Sequence, residues 1–75
     1  MNIKEQVLSI IEKQLDVTPD LNQTLQELGA DSLDAVEIVM ELEETYGIEI
    51  IDEDAEKWKT VQNIIDYMES KVTND

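Results

Sequence analysis

The strongest constraint on this chain is the spacing of its apolar residues near the C-terminus. Val61, Ile64, Ile65, Met68 and Val72 recur every three to four positions, which places them on one stripe of a helix and on no single face of a strand. Ile3, Val7, Ile10 and Ile11 repeat the pattern at the other end, with Leu8 and Leu15 widening the stripe. A helix with one apolar stripe must bury it against something. In a chain of 75 residues without cysteine, the only things available are other helices of the same small core. Ile48, Ile50 and Ile51 alternate briefly like a strand, but the chain offers no second strand to pair with them. The predicted fold is therefore all-α: a small four-helix bundle with a short third helix, forming a single domain over residues 1–75.

The segment ends follow from local chemistry. The first helix spans residues 3–15, with Thr18-Pro19 beyond it as the stop, because a residue that precedes proline avoids helical geometry. Residues 18–30 read as a connection whose Leu21, Leu25 and Leu28 anchor it to the core, with Gly29 as a positive-φ position. The second helix starts at Asp31 as N-cap and ends at Gly47, with Asp34 adding negative charge to its first turn. Leu33, Val36 and Met40 share one of its faces, with Val39, Leu42 and Tyr46 alongside, while Glu37, Glu41 and Glu44 recur on another. Asp52 is read as the cap of the short third helix, which turns Ala55 and Trp58 inward, and Thr60 as the cap of the fourth.

Charge then narrows the function. Nineteen acidic against 5 basic residues give a formal net charge of -14, and no basic residue lies between Lys13 and Lys57. Nucleic acid is excluded as a partner, because phosphate binding needs clustered Lys or Arg. An anionic membrane surface is disfavoured for the same reason, and no apolar run is long enough for membrane insertion. The field steers the chain toward basic patches on other proteins. Without histidine or cysteine, the common metal ligands and the commonest general base are missing, and Asp52-Glu53-Asp54 lacks the ligand spacing of a calcium loop. No residue is assigned as catalytic and none as a metal ligand. The chain is expected to be a cytoplasmic monomer and not an enzyme.

One hydroxyl stands out. Ser32 follows the cap of the second helix within Gly29-Ala30-Asp31-Ser32-Leu33-Asp34. At such a junction it is reachable by another enzyme, and a phosphate on it would meet the positive end of the helix. The neighbouring carboxylates would oppose that phosphate, and a serine there also serves commonly as a capping or solvent-facing group, so the residues alone leave both roles open.

The run from Gly29 through Ser32 to Glu44, an Asp-Ser-Leu core followed by an acidic-apolar helix, resembles the second helix of bacterial-type acyl carrier proteins. The likeness extends to Ile10, Ile11, Gln14 and Leu15, to Glu49-Ile50, to Asp52 through Lys57 and to Thr60-Val61-Gln62. It implies that Ser32, flanked by Asp31 and Leu33, receives 4′-phosphopantetheine from coenzyme A, with a holo-synthase supplying base and magnesium. The thiol then belongs to the cofactor, and tethering raises the local concentration of the acyl group at each docked enzyme. Asp31, Asp34, Glu37, Glu43, Glu44 and Asp52 correspond to an acidic surface for acyl-processing enzymes with basic patches; Glu41 falls outside that set. Val36, Met40, Leu42, Ile50, Ala55, Ile64 and Tyr67 are the implied lining of an acyl pocket between the second and third helices. The chain departs from the family in a shorter connection over residues 17–29 containing Pro19, in Ile51 where proline is frequent, and in the bulky Trp58. Fatty-acid synthesis is the expected pathway, a specialised carrier such as a polyketide one is the alternative, and an unmodified acidic interaction domain is a third reading from the charge alone.

Overall fold

The computed structural model describes residues 2–73. Four helices follow one another: α1 (Ile3–Leu15), α2 (Ser32–Tyr46), α3 (Asp52–Glu56) and α4 (Val61–Thr73). Among the described residues no strand forms; Thr24 and Thr60 make an isolated bridge. The rejection of the Ile48–Ile51 alternation as a strand agrees with this.

Each helix end has a local cause. Asn2 caps α1 by accepting the Glu5 N–H at 2.8 Å. The helix stops at Leu15 because Asp16 turns left-handed, φ 55°, while its N–H still reaches the Glu12 carbonyl. The stop thus falls ahead of Thr18-Pro19, where the sequence placed it. Asp31 caps α2 in a capping box: its carboxylate accepts from the Asp34 N–H at 3.0 Å, and the Asp34 carboxylate accepts from the Asp31 N–H at 3.3 Å. Gly47 closes α2 in the left-handed conformation, φ 64°, as the sequence indicated. Asp52 needs a correction. It is the first residue of α3, and the cap is Ile51, which offers no side-chain acceptor. One position further in, the carboxylates of Asp52, Glu53 and Asp54 face the positive end of the short helix instead.

The N-terminus of α4 is satisfied by the long α1–α2 connection. Val61 N–H donates to the Gln23 carbonyl and Gln62 N–H to the Leu21 carbonyl, each at 3.0 Å. Thr60 Oγ1 accepts from the Asn63 N–H, and Asn63 Oδ1 accepts from the Thr60 N–H, a reciprocal pair that confirms Thr60 as the cap. Within the connection, Thr24 and Glu27 form the same kind of box. The turn they start ends at Gly29 (φ 90°), whose N–H bonds the Gln26 carbonyl while Ala30 N–H bonds the Leu25 carbonyl. Leu28 is thereby driven into the core, with Leu21 and Leu25 packed against it.

The core is formed by Val7, Ile10 and Ile11 of α1, Ile38 and Leu42 of α2, and Val61, Ile64, Ile65 and Met68 of α4, closed by Leu28 and Ile50. No buried polar or charged residue interrupts it among the described residues. Helix α3 contributes no buried residue; Ala55 and, just after it, Trp58 pack against the core while only partly buried. On the far side of that packing, Trp58 meets Tyr67 edge to face at 5.3 Å between ring centroids. Among the described residues no helix is long and apolar enough to cross a membrane.

Candidate functional site

Ser32 is the first residue of α2 and its side chain is exposed. The cap hydrogen bonds of the helix are made by Asp31 and Asp34, so the hydroxyl is not committed to them. It opens onto a groove of about 540 Å³ between α2 and the α3 segment. One stripe of α2 forms the near wall: Ser32, Ala35, Val36, Val39, Met40 and Glu43, spaced by three and four residues. Ile50, Asp52, Ala55 and Glu56 form the far wall. The hydroxyl therefore stands at the head of a partly apolar trough that ends in carboxylates.

The seven residues expected to line an acyl pocket divide. Val36, Met40, Ile50 and Ala55 line the groove. Leu42 and Ile64, each at 0% exposure, lie in the closed core and do not line the groove. Tyr67 turns aside, donating its hydroxyl to Asp54 Oδ2 at 3.0 Å. Burial and the Asp54 carboxylate push the Tyr67 hydroxyl up to about 12. Ala35, Val39 and Glu56 line the groove and escaped sequence reasoning. The first two could have been found by counting threes and fours from Ser32 along the helix.

The six predicted docking carboxylates also differ in what they touch. Asp31 and Asp34 hold the start of α2. Gln14 of α1 donates its amide to Asp34 Oδ1 at 3.3 Å and to Glu37 Oε2. One neutral side chain thus gathers two carboxylates on adjoining turns without cancelling their charge. Glu43 reaches across the end of α2 to accept the Ile50 N–H at 2.8 Å. Glu44 and Asp52 are exposed, Asp52 on the groove rim. Leu33, Val36 and Met40, read as one face of α2, are 65%, 53% and 53% exposed, so a large apolar strip lies next to these charges.

An exposed hydroxyl at a helix head, a groove leading from it and an acidic rim are the residues expected of a tether for a phosphate-linked arm. Comparison with known proteins decides the family. Residues 5–68 match the phosphopantetheine attachment site family. An acyl carrier protein of Bdellovibrio bacteriovorus is 51% identical over 75 residues, covering 95% of this chain and 96% of the relative. The chain belongs to the acyl carrier protein family. Further acyl carrier proteins, from Thermosynechococcus vestitus and Campylobacter hominis, are 47% and 43% identical over 74 residues, covering 93% of this chain and 91% and 94% of theirs. The group that this carrier family attaches covalently is 4′-phosphopantetheine. The residues here fit it: a hydroxyl for the phosphodiester, a helix N-terminus for the phosphate, and an apolar trough alongside.

Proposed function

We propose that this chain carries acyl groups as thioesters on 4′-phosphopantetheine attached to Ser32 and presents them to the enzymes of fatty-acid synthesis. The observation that carries the reading is the exposed Ser32 hydroxyl, released from capping by Asp31 and Asp34 and opening onto the groove. The arm supplies the reactive thiol; the protein positions it. The positive end of α2 favours the phosphate, and Leu33 and Asp31 frame the serine for the transferring synthase. Val36, Val39, Met40, Ile50 and Ala55 offer apolar contact to the start of an acyl chain, so a chain lying there leaves water at a gain proportional to its buried area. The unbranched Met40 adapts to different chains.

The chain acts as a carrier worked on by other proteins and not as a catalyst. Asp34, Glu37, Glu43, Glu44 and Asp52 draw basic patches on those enzymes, and the exposed Leu33, Val36 and Met40 give the encounter an apolar centre. Such docking weakens as salt rises. A holo-synthase is the first partner, and the carrier works as a cytoplasmic monomer.

The test is the intact mass of the chain before and after incubation with coenzyme A and a broad-specificity phosphopantetheinyl transferase. The wild type gains one phosphopantetheine group and Ser32→Ala gains none. No gain in wild-type protein that begins without the group overturns the assignment.

A further inference from the structure

Helix α1 buries Val7, Ile10 and Ile11. The next place on that stripe, one turn beyond Ile10 and Ile11, belongs to Gln14. An apolar residue there would continue the packing. The sequence supplies an amide instead. Its half-buried side chain turns the nitrogen to α2, donating to Asp34 Oδ1 at 3.3 Å and to Glu37 Oε2. Ionised carboxylates only accept, so a neutral group with two N–H donors satisfies both at once. Asp34 and Glu37 are neighbours on one helix face, where like charges repel. The Gln14 amide holds them together against that repulsion.

Asp34 is also half of the capping box. Its Oδ2 accepts the Asp31 N–H at 3.3 Å, and its own N–H donates to Asp31 Oδ1 at 3.0 Å. Both oxygens of this carboxylate are therefore engaged, one within the box and one by α1. Ser32 and Leu33 are the residues that the box encloses. Contacts thus run from the buried stripe of α1 through Gln14 to Asp34, and from Asp34 to Asp31. They fix the turn that carries the exposed Ser32 hydroxyl. Without the amide, Asp34 Oδ1 loses its donor and the carboxylate is free to turn out of the box.

We propose that Gln14 is a positioning residue for the loading of Ser32: through Asp34 it locks the turn that presents the hydroxyl to the transferring synthase. The attachment site then spans two helices and not α2 alone. This rests on the carrier reading above and deepens it. In loading, Ser32 Oγ forms a bond to the phosphopantetheine phosphorus of coenzyme A. The pyrophosphate P–O bond breaks, adenosine 3′,5′-bisphosphate leaves, and the hydroxyl proton passes to the base of the synthase. The attacking oxygen must stand in line with the bond that breaks, and the rate falls steeply when it is displaced. Gln14 has no part in these bond changes; it acts through Asp34.

Gln14→Met keeps an unbranched side chain and removes the amide, so packing is retained while both hydrogen bonds are lost. Loading from coenzyme A by a broad-specificity phosphopantetheinyl transferase is followed by intact mass across a range of carrier concentrations. The rate at saturating carrier is expected to fall about tenfold. A residue that served only docking or stability would shift the half-saturating concentration or the melting midpoint and leave the saturated rate in place. An unchanged saturated rate overturns the proposal. In the Asp34→Ala chain, Gln14→Met should cost no further rate, because its route to Ser32 is already gone; losses that multiply overturn it. Amide exchange in the unloaded chain separates this inference from the carrier reading. The Asp31 and Asp34 amides should exchange about threefold faster or more in Gln14→Met than in wild type. Equal exchange overturns the lock even where Ser32 loads normally. A wild-type chain that gains no phosphopantetheine overturns the carrier reading and the loading role together, whatever the exchange shows of the turn.

Discussion

Helices α3 and α4 are separated by only residues 57–60, yet they belong to different kinds of structure. Helix α4 sends Val61, Ile64, Ile65 and Met68 into the core and has its first amides capped by a connection that lies far away in sequence. Helix α3 has five residues, none of them buried, and a cap without a side-chain acceptor. An isolated helix that short does not hold itself together in water. It persists because Ala55 and Trp58 rest on the core and because Asp54 is bonded to Tyr67 of α4. The contrast shows how a small domain separates two tasks. One side supplies the burial that makes it fold, and the other supplies a groove wall whose short helix buries no residue of its own.

The largest effect that can break this comparison comes from the core. Ile64→Ala removes a side chain at 0% exposure and is expected to cost about 2–5 kcal/mol through lost burial and a residual cavity. For a domain of this size, total stability is about 4–11 kcal/mol, so the variant falls to marginal stability or unfolds. Denaturant melts with unchanged slope give the difference. A loss below about 1 kcal/mol would mean that the packing around α4 is no tighter than that around α3.

The bond between the two regions gives the next effect. Tyr67→Phe removes the hydroxyl that reaches Asp54 and is expected to cost about 1 kcal/mol well below pH 10. The sign of its pH dependence follows from the raised pKa. The folded state holds the neutral hydroxyl more tightly than the unfolded one, because ionised Tyr67 would be poorly solvated and would face the Asp54 carboxylate. Its contribution is therefore complete below the ordinary value of 10.0 and is lost as pH climbs toward about 12. Wild type and Tyr67→Phe should converge in stability across that window. A gap that stays constant would show that the hydrogen bond does not tie α3 to the core.

How much of this was legible in the sequence differs along the same division. The stripe of α4 was read directly, because Val61, Ile64, Ile65 and Met68 are flanked by polar residues and only one face can be buried. In α2 the same reasoning failed to pick the face. Leu33, Ala35, Val36, Ile38, Val39, Met40 and Leu42 leave the helix apolar over more than half of its circumference, with Glu37, Glu41 and Glu44 on the rest, and period alone cannot say which part of so wide a stripe enters the core. Ile38 became core at 1% exposure, whereas Leu33, Val36 and Met40 stayed out. Of these three, Val36 and Met40 line the groove. The likeness to a carrier family pointed to Ser32 and to the acidic set. It did not show that Gln14 draws Asp34 and Glu37 together, or that Glu43 holds the Ile50 amide, since both bonds join residues brought close only by folding.

The smallest effect sharpens the comparison from the side of α3. At the cap of this helix Ile51 is 55% exposed and supplies no hydrogen bond. Its carbonyl already accepts from the amides of Asp54 and Ala55, so the backbone is set for a capping residue that the side chain does not provide. Ile51→Ser gives up little burial and adds an acceptor for an amide of the first turn, worth about 0.5–1 kcal/mol to the helix. Because α3 contributes little to global folding, the midpoint of unfolding should rise by only a few tenths of a kcal/mol. The larger change should be local: slower amide exchange at Asp54 and Ala55, with exchange at Ile64 and Ile65 unaltered. If protection rises equally in α3 and α4, the two helices open as one cooperative unit, and the wall of the groove cannot move apart from the core. If it rises in α3 alone, the stability of that short helix is an independent setting. A carrier could then be tuned to hold its cargo more or less firmly without any change to the core that folds it.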